Sequence, residues 1–268
     1  MTHLETLDRH LGARYSQHTR RSFLGHAKRF VDTCGDKPTY SRDEVLGYVD
    51  SLIHAKYKSG TIHVHLAAIR AMFDACNLTW PLTKRDTRLG LPQVDPEAPT
   101  LSPNDVTALI RGARSYPRTT LPIVAALATV WGLRGDEIVR TLARGCDGHT
   151  LEIQTAKGGR VRKHAIPRVL GPVLAFSPID TSTRSLHDVF DRLMRTHVRP
   201  PRPREGWHSA RRAVVTALFE AGIEQHKVHT WLGWKMKEDI SLRYYHPDPL
   251  RLDVEIYTKH PYLRVWLE

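Results

Sequence analysis

The segment that most constrains the fold of this 268-residue chain is an aperiodic stretch over residues 81–100, PLTKRDTRLGLPQVDPEAPT. It is rich in proline and charge, and it lacks the apolar spacing of a helix or a strand. Such a composition is typical of a linker between domains. We therefore predict a boundary near residue 95, with one domain over 1–95 and a second over 96–268.

The first domain has the apolar spacing of helices. From Tyr15 to Cys34, apolar residues recur at steps of three and four and form one stripe. Ser41 followed by Glu44 matches a capping box and predicts a second helix start. Another helix is predicted to begin at Ser59. The first domain is thus predicted to be helical.

The second domain is predicted to open with a helix, since Ser102 suits an N-cap and Pro103 the first helical position. Residues 121–130 are apolar nearly all round, as in a buried helix, and Gly132 interrupts them. A further helix is predicted from Gly135 to about Arg144.

Two β-like runs follow, LEIQT (151–155) and VRKHAIP (161–167), and the Gly-Gly pair between them predicts a hairpin. From about Ser185 the pattern is helical again. The predicted fold class is therefore mainly α with a small antiparallel β-sheet.

The chain carries 40 Lys and Arg against 28 Asp and Glu, a net charge of +12, which favours an anionic partner such as nucleic acid. A merely basic soluble protein is the alternative.

The three cysteines form no CxxC pair, so neither a disulfide framework nor a zinc cluster is predicted. The N-terminus lacks the apolar run of a signal peptide, and the longest apolar run is too short for a membrane span. We expect a cytoplasmic, nucleoid-associated protein.

Arg134 lies in the run GLRGDE, between a glycine break and the start of a helix. There its guanidinium would lie near free backbone N–H groups, a good place for a phosphate oxygen. Alternatively, it pairs with Asp136 or Glu137 and has no ligand.

Lys157 is predicted on the tip of the glycine-flanked hairpin, where it could contact DNA or donate a proton. Arg160 and Lys163 are nearby competitors for this role. His208 and Arg211 are three residues apart on a predicted helix and would project together, which suits a phosphoryl site.

Trp234 and the adjacent Tyr244 and Tyr245 complete the candidate set. A phenol with a pKa of about 10 is a poor nucleophile unless cations surround it. Taken together, the residues suggest a metal-free phosphoryl transfer. In it Arg134 and Arg211 neutralise the scissile phosphate while the indole and an imidazole donate hydrogen bonds to it. A tyrosine then attacks phosphorus and a lysine protonates the leaving 5′ oxygen.

In this order the motifs resemble those of the tyrosine recombinase (phage integrase) family. They are GLRGDEI, TAKGGRVRKHAIP, HSARR, LGW and SLRYYHP. HTRRSFLGHAKRF and SGTIHVHLAAIRAMFDAC are also similar to the DNA-facing helices of that family's core-binding domain. The resemblance covers nearly the whole chain and implies a helical core-binding domain followed by a catalytic domain.

The resemblance implies catalytic roles that are carried over residue by residue. These fall on Arg134, Lys157, His208, Arg211, Trp234 and Tyr244, with Glu137 in support. Tyr244 fits the family's Arg-Tyr-x-His pattern, and Tyr245 is the alternative nucleophile. Trp234 stands where many members have histidine. The expected DNA-binding residues are Arg20, Arg21, His63, Arg70, Arg160, Arg202, Arg204 and Arg212.

By the same resemblance, the expected activity is site-specific recombination through a 3′-phosphotyrosyl intermediate and a Holliday junction, without metal or cofactor. The expected partner is a double-stranded DNA site, bound by a tetramer on two duplexes, and the free protein is expected to be a monomer or weak oligomer. The apolar residues after residue 248 could pack onto a neighbouring subunit or within their own chain.

Three alternatives stay open from the sequence. The chain could act on one duplex as a topoisomerase IB-like enzyme or a resolvase. It could be a DNA-binding regulator of the same fold without catalysis. A metal-dependent nuclease is disfavoured because the sixteen histidines are not accompanied by a carboxylate cluster.

Overall fold

The computed structural model describes residues 2–12, 14–87, 98–117, 119–155, 161–234 and 248–268. The chain divides into two compact units, Met1–Asp95 and Pro96–Glu268. None of the helices in these described ranges has the length and apolarity that a membrane span requires.

The first unit is a bundle of helices around one apolar core. Its described helices are α1 (His3–Gly12), α2 (Gln17–Cys34), α3 (Arg42–His54) and α4 (Ser59–Ala75). The predicted capping box is present, since the Ser41 hydroxyl accepts the Glu44 N–H and the Glu44 carboxylate accepts the Ser41 N–H. The predicted apolar stripe of α2 packs into the core, with Phe30 fully buried.

Helix α1 was not predicted, although Leu4, Leu7 and Leu11 have the spacing that could have revealed it. Leu7 and Leu11 are fully buried in the core of the first unit. Helix α2 begins at Gln17 rather than Tyr15, because the Ser16 hydroxyl accepts the Thr19 N–H and caps the helix there.

The second unit is built around one apolar helix. Its described helices are α5 (Pro103–Arg114), α6 (Thr120–Thr129), α7 (Gly135–Arg144), α8 (Gly171–Leu174), α9 (Thr183–His197), α10 (Trp207–Glu220), α11 (Gln225–Trp231), α12 (Pro249–Lys259) and α13 (Pro261–Leu267). A short 3₁₀ helix spans Arg168–Leu170. Helix α6 is buried over 121–129, as its apolar sequence predicts, and helices α5 and α10 pack against it.

Two small antiparallel sheets lie in the described part of this unit. In the predicted hairpin, β2 (Thr150–Gln154) pairs with β3 (Val161–Ala165), with Thr150 opposite Ala165. A second sheet joins β1 (Cys146–Asp147) to β4 (Ala175–Phe176). It was not predicted, because two-residue strands are too short to show an apolar alternation. The fold is mainly α with small antiparallel sheets.

The C-terminal helices pack within their own chain. In α13, Val265 and Trp266 are buried, and the Trp266 indole N–H donates to the Thr129 hydroxyl at 3.3 Å. An Arg114 N–H donates to the Val265 carbonyl at 2.8 Å. Three apolar side chains of this region stay exposed, those of Leu250, Val254 and Leu267. Of the two alternatives for this segment, the structure therefore shows the intramolecular one for α13.

Candidate active site

Gly132 and Glu137 place Arg134 at the start of α7. Gly132 adopts φ +57°, a left-handed conformation that suits glycine, and the chain turns there between α6 and α7. The Glu137 carboxylate is fully buried. It accepts the backbone N–H of Arg134 at 2.9 Å and the Arg134 guanidinium at 3.0 Å. The arginine is thereby fixed at the N-cap position with part of its side chain exposed.

Arg211 on α10 approaches the same carboxylate from another element. Its side chain is 3% exposed and lies 3.6 Å from Glu137 Oε2. One of its Nη1 hydrogens is donated to the carbonyl of Gly132. Because Glu137 contacts both guanidiniums, one buried negative charge holds the two cations of Arg134 and Arg211 side by side.

Burial and repulsion between cations lower the pKa values of Arg211 and His208 in this cluster. Burial lowers the pKa of Arg211 to about 9, and repulsion by Arg134 acts in the same direction while Glu137 opposes it. The pKa of His208 is also lowered, first by partial shielding of the ring and then by Arg212, Arg211 and Arg134. The imidazole therefore favours its neutral form, in which it can donate one proton and accept another.

Trp234 lies over Arg211, with the indole ring centroid 5.2 Å from the guanidinium carbon. Its Nε1–H is buried and has no hydrogen-bond partner in the described part of the chain. Arg211 Nη2 is likewise buried and without a partner there. Buried N–H groups without a partner are rare and costly in folded proteins. The described site thus presents unused donors and positive charge, a combination that suits an anion.

Lys157, Arg160, Tyr244 and Tyr245 lie outside the described residues, so their predicted roles are not placed by the structure. The structure brings together four of the predicted residues, Arg134, Glu137, Arg211 and Trp234, and the pKa of His208 responds to both arginines. Lys163, one competitor of Lys157, is exposed and pairs with Glu152 on the neighbouring strand at 2.6 Å.

The residues expected to bind DNA in the first unit differ in their surroundings. Arg20 forms a bidentate ion pair with Asp8, with N–O distances of 2.5 and 2.6 Å. The Asp8 carboxylate therefore already neutralises its charge. Arg21 and His63 are exposed, and Arg70 is exposed with its guanidinium 5.9 Å from the ring of Trp80.

Four arginines of that set belong to the second unit, and the structure describes three of them, since Arg160 lies outside the described residues. Arg202 and Arg204 are exposed on the loop before α10, and Arg204 has a positive φ of 70°. Arg212 donates two hydrogen bonds to the carbonyl of Pro99, at 3.0 and 2.7 Å. This contact gives Arg212 a structural role, and because its charge also lowers the pKa of His208, Arg212 lies near that imidazole rather than turned away from it.

A buried polar network supports the site from β3. Asp253 accepts hydrogen bonds from the Trp231 indole at 2.9 Å and the Ala165 N–H at 2.8 Å, and it contacts His164 Nδ1 at 2.7 Å. Burial lowers the pKa of His164, while Asp253 opposes that shift. Sequence reasoning missed this network, because its members are separated by up to 89 residues. No three His, Cys, Asp or Glu side chains among the described residues are grouped to hold a metal ion.

No protein-family model and no curated protein matches the sequence. The structure is similar to that of the Tn1549 transposon integrase in complex with transposon right end DNA. The identity is 14%, the TM-score is 0.60, and the match covers 96% of this chain and 99% of that one. It is also similar to a lambda integrase dimer bound to a COC′ core site, with 20% identity, a TM-score of 0.61 and coverage of 92% and 96%.

A third similar structure is the XerH site-specific recombinase bound to its difH substrate, with 14% identity, a TM-score of 0.53 and coverage of 88% and 76%. Identities this low establish the fold and leave the activity to be argued from the site. The chain has the fold of the tyrosine recombinases, as its motifs predicted. Within that fold, Arg134, Glu137, Arg211 and Trp234 form the described part of the candidate active site.

Proposed function

We propose that this protein is a tyrosine-type site-specific recombinase that cleaves and rejoins DNA through a 3′-phosphotyrosyl intermediate. One observation carries the proposal. Two arginines are fixed on the buried Glu137 carboxylate, and beside them remain N–H groups of Arg211 and Trp234 that have no acceptor among the described residues. Donors fixed in advance can stabilise charge that develops on a phosphorane without reorganising during the reaction.

The proposed chemistry combines the positions of Arg134, Arg211 and Trp234 with the roles that the motif resemblance implies for His208, Lys157 and Tyr244. Arg134 and Arg211 bind the non-bridging oxygens of the scissile phosphate, and Trp234 and His208 donate hydrogen bonds to them. The Tyr244 oxygen attacks phosphorus, a new tyrosine–phosphorus bond forms, and the bond to the 5′ oxygen breaks. Lys157 supplies the proton to that oxygen. The freed 5′-hydroxyl of a second strand reverses the step, so phosphodiester energy is conserved.

The same proposal assigns partners. The first unit acts as a core-binding domain on duplex DNA, with Arg21, His63 and Arg70 exposed for the phosphate backbone. Four copies act on two duplexes and exchange strands through a Holliday junction, and the free protein is a monomer or weak oligomer. Support comes from the net charge of +12 and from the DNA-bound structures that share the fold.

The test is capture of a covalent intermediate. The protein is incubated in EDTA with a pool of nicked duplexes that carry a randomised segment, and adducts that survive denaturation are recovered and sequenced. We expect an enriched sequence and a DNA-linked peptide that contains Tyr244. Tyr244→Phe should abolish the adduct, whereas Tyr15→Phe, on an exposed tyrosine of the first unit, should leave it unchanged.

The outcomes separate the alternatives. Loss of the adduct in Tyr245→Phe but not in Tyr244→Phe would assign the nucleophile to the second tyrosine. Adducts that relax a single supercoiled duplex without joining two would indicate a topoisomerase-like activity. Binding without any adduct would indicate a non-catalytic regulator and refute the proposed function.

A further inference from the structure

Arg162 is a half-buried arginine to which the sequence motifs assigned no role. It lies on β3, between the candidates Arg160 and Lys163, and its Nη1–H donates to the carbonyl of Trp231. Its stem also packs against Gly233. A Cβ on that glycine would lie 2.8 Å from Cδ and Nε of Arg162, and Gly233 has a φ of +68°. The turn after α11 therefore needs glycine partly because the arginine passes beside it.

The same turn contacts Arg211 on its other side. Trp234 stacks over the Arg211 guanidinium at 5.2 Å, and Leu232 packs beside Gly132, whose carbonyl accepts the Arg211 hydrogen bond. A segment of four residues, 231–234, thus joins Arg162 to Arg211. Burial lowers the pKa of Arg162 to about 10, with Glu137 opposing and Arg134 adding to the shift, so its charge lies within reach of the same cluster.

Two donor nitrogens of Arg162 have no hydrogen-bond acceptor among the described residues. Its Nε and Nη2 atoms are shielded from solvent and have no partner in the described part of the chain, as is true of Arg211 Nη2 and Trp234 Nε1. All of these atoms are donors, and the two guanidiniums carry full positive charges. Two guanidiniums and one indole thus hold donor atoms that no acceptor in the described part of the chain satisfies, although Glu137 and Asp253 lie near enough to act on the charge of Arg162, and an anion would supply the missing acceptors.

We propose that Arg162 is a third phosphate-binding arginine of this site, using Nε and Nη2 on the phosphodiester that Arg134 and Arg211 bind. Its bond to the Trp231 carbonyl holds the planar fork beside the turn that carries Trp234. This assignment rests on the proposed function, since it presumes that the ligand of the site is a phosphate. Arginine suits the position better than lysine because its fork offers two parallel donors.

The first test uses inorganic phosphate and needs no knowledge of the DNA site. The affinity of the full chain for phosphate is measured by calorimetric titration at low ionic strength. Arg162→Met should weaken it roughly tenfold, the effect of one lost charge-assisted hydrogen bond. Lys163→Met is the matched control, because it removes the same charge from the next residue of β3, which is exposed and pairs with Glu152. It should bind phosphate like the wild type.

A third variant, Arg211→Met, separates this proposal from the proposed function. If Arg211→Met loses phosphate binding and a folded Arg162→Met retains it, the site binds phosphate but Arg162 is not a ligand. If both variants bind like the wild type, the phosphate site itself is refuted and Arg162 with it. Should Arg162→Met fail to fold, Arg162→Lys decides, since wild-type affinity in the lysine variant would overturn the role of the fork.

The second test measures adduct formation on a captured DNA sequence. At saturating DNA, Arg162→Lys should slow formation of the covalent adduct by roughly tenfold or more while DNA affinity, measured by anisotropy, stays within about twofold. A purely structural role would lower the melting temperature and leave the rate per folded molecule unchanged, which would contradict the proposal.

Discussion

Glu137 is the residue on which the geometry of both arginines of the candidate active site depends. It is fully buried, and its two carboxylate oxygens contact the backbone and side chain of Arg134 and the side chain of Arg211. The ionised carboxylate offsets the positive charge of both arginines. A neutral group at this position would leave the buried Arg211 charge without a counterion, which destabilises the fold. Loss of this charge should therefore affect stability as well as catalysis.

We expect Glu137→Gln to lower the free energy of unfolding by about 3 kcal/mol, because it leaves the buried Arg211 charge without its counterion. Urea denaturation of the full chain measures the change. Asp136→Asn is the control, since Asp136 is exposed on the same turn and its loss should cost no more than about 0.5 kcal/mol. Equal losses in both variants would show that Glu137 has no special role.

Trp234 offers a second test at the residue scale. Trp234→Phe keeps an aromatic ring over Arg211 but removes the Nε1–H, for which the described ranges of the chain offer no acceptor. We expect the rate of adduct formation to fall by about 10- to 100-fold, the usual effect of deleting one donor to a developing negative charge. Trp234→His should recover part of the rate, because an imidazole N–H can replace the indole donor. A rate in Trp234→Phe equal to that of the wild type would exclude Trp234 as a donor.

At the scale of elements, the packing of α5 on α9 depends on Gly112. A Cβ at this position would lie 2.4 to 2.6 Å from the Cγ, Cβ and Cδ2 atoms of His197 on α9. Because the short contacts include the Cβ of His197, rotation of the ring alone cannot relieve them. His197 also contacts the Tyr116 hydroxyl at 3.3 Å, and that bond would be disturbed.

We expect Gly112→Ala to destabilise the protein by about 1 kcal/mol, because overpacking of 1–3 kcal/mol exceeds the gain in helix propensity of about 1 kcal/mol. Gly25→Ala is the matched control. Gly25 is also inside a helix, α2, but nothing lies within 4 Å of its added Cβ, so this change should stabilise the protein. Thermal denaturation measures both, and a stabilising Gly112→Ala would contradict the packing argument.

Protonation of His260 makes the stability of the packing around α12 and α13 depend on pH. It is fully buried between α12 and α13, where Nδ1 accepts the Leu263 N–H and caps α13, and Nε2 contacts the Val130 carbonyl at 2.9 Å. Burial lowers its pKa from 6.5 to about 4. The unfolded chain therefore binds this proton at a higher pH than the folded chain. Stability from this residue is full above pH 6.5 and falls as the pH drops towards 4.

The loss should reach about 3 kcal/mol at the acid end of that window. His260→Asn, which retains a capping side chain, should be less stable than the wild type at neutral pH and show a flatter decline below it. His187→Asn, on an exposed position of α9, should keep the wild-type profile. Melting temperatures across the window are the measurement, and parallel curves for wild type and His260→Asn would refute the coupling.

At the scale of the whole molecule, the proposed function predicts that the net charge of +12 governs affinity for DNA. If the exposed arginines of the first unit contact phosphates, changing Arg21 and Arg70 together to Gln should reduce the slope of log affinity against log salt by about 2. Fluorescence anisotropy on a random duplex measures it. Lys28→Gln is the control, because Lys28 is paired with Asp32 at 2.7 Å. An unchanged slope in the double variant would place the DNA elsewhere.

The sequence by itself determined what depends on near neighbours. The capping box at Ser41, the N-cap at Ser102, the buried helix over 121–129 and the paired strands β2 and β3 follow from spacings of two to four residues. The order of the motifs also predicted the fold. Such features need no knowledge of tertiary structure, because helix caps and apolar periodicity are local properties of the chain.

Only the tertiary structure decided which arginines are held by other groups of the protein and which are exposed to solvent. Nothing in the sequence distinguishes Arg20, held by Asp8, or Arg212, held by the Pro99 carbonyl, from exposed Arg21. Arg162 and Arg211 acquire their burial and their partners across 69 and 79 residues of chain. Long-range burial sets the cost of an unpaired charge, and it arises only when distant elements pack together.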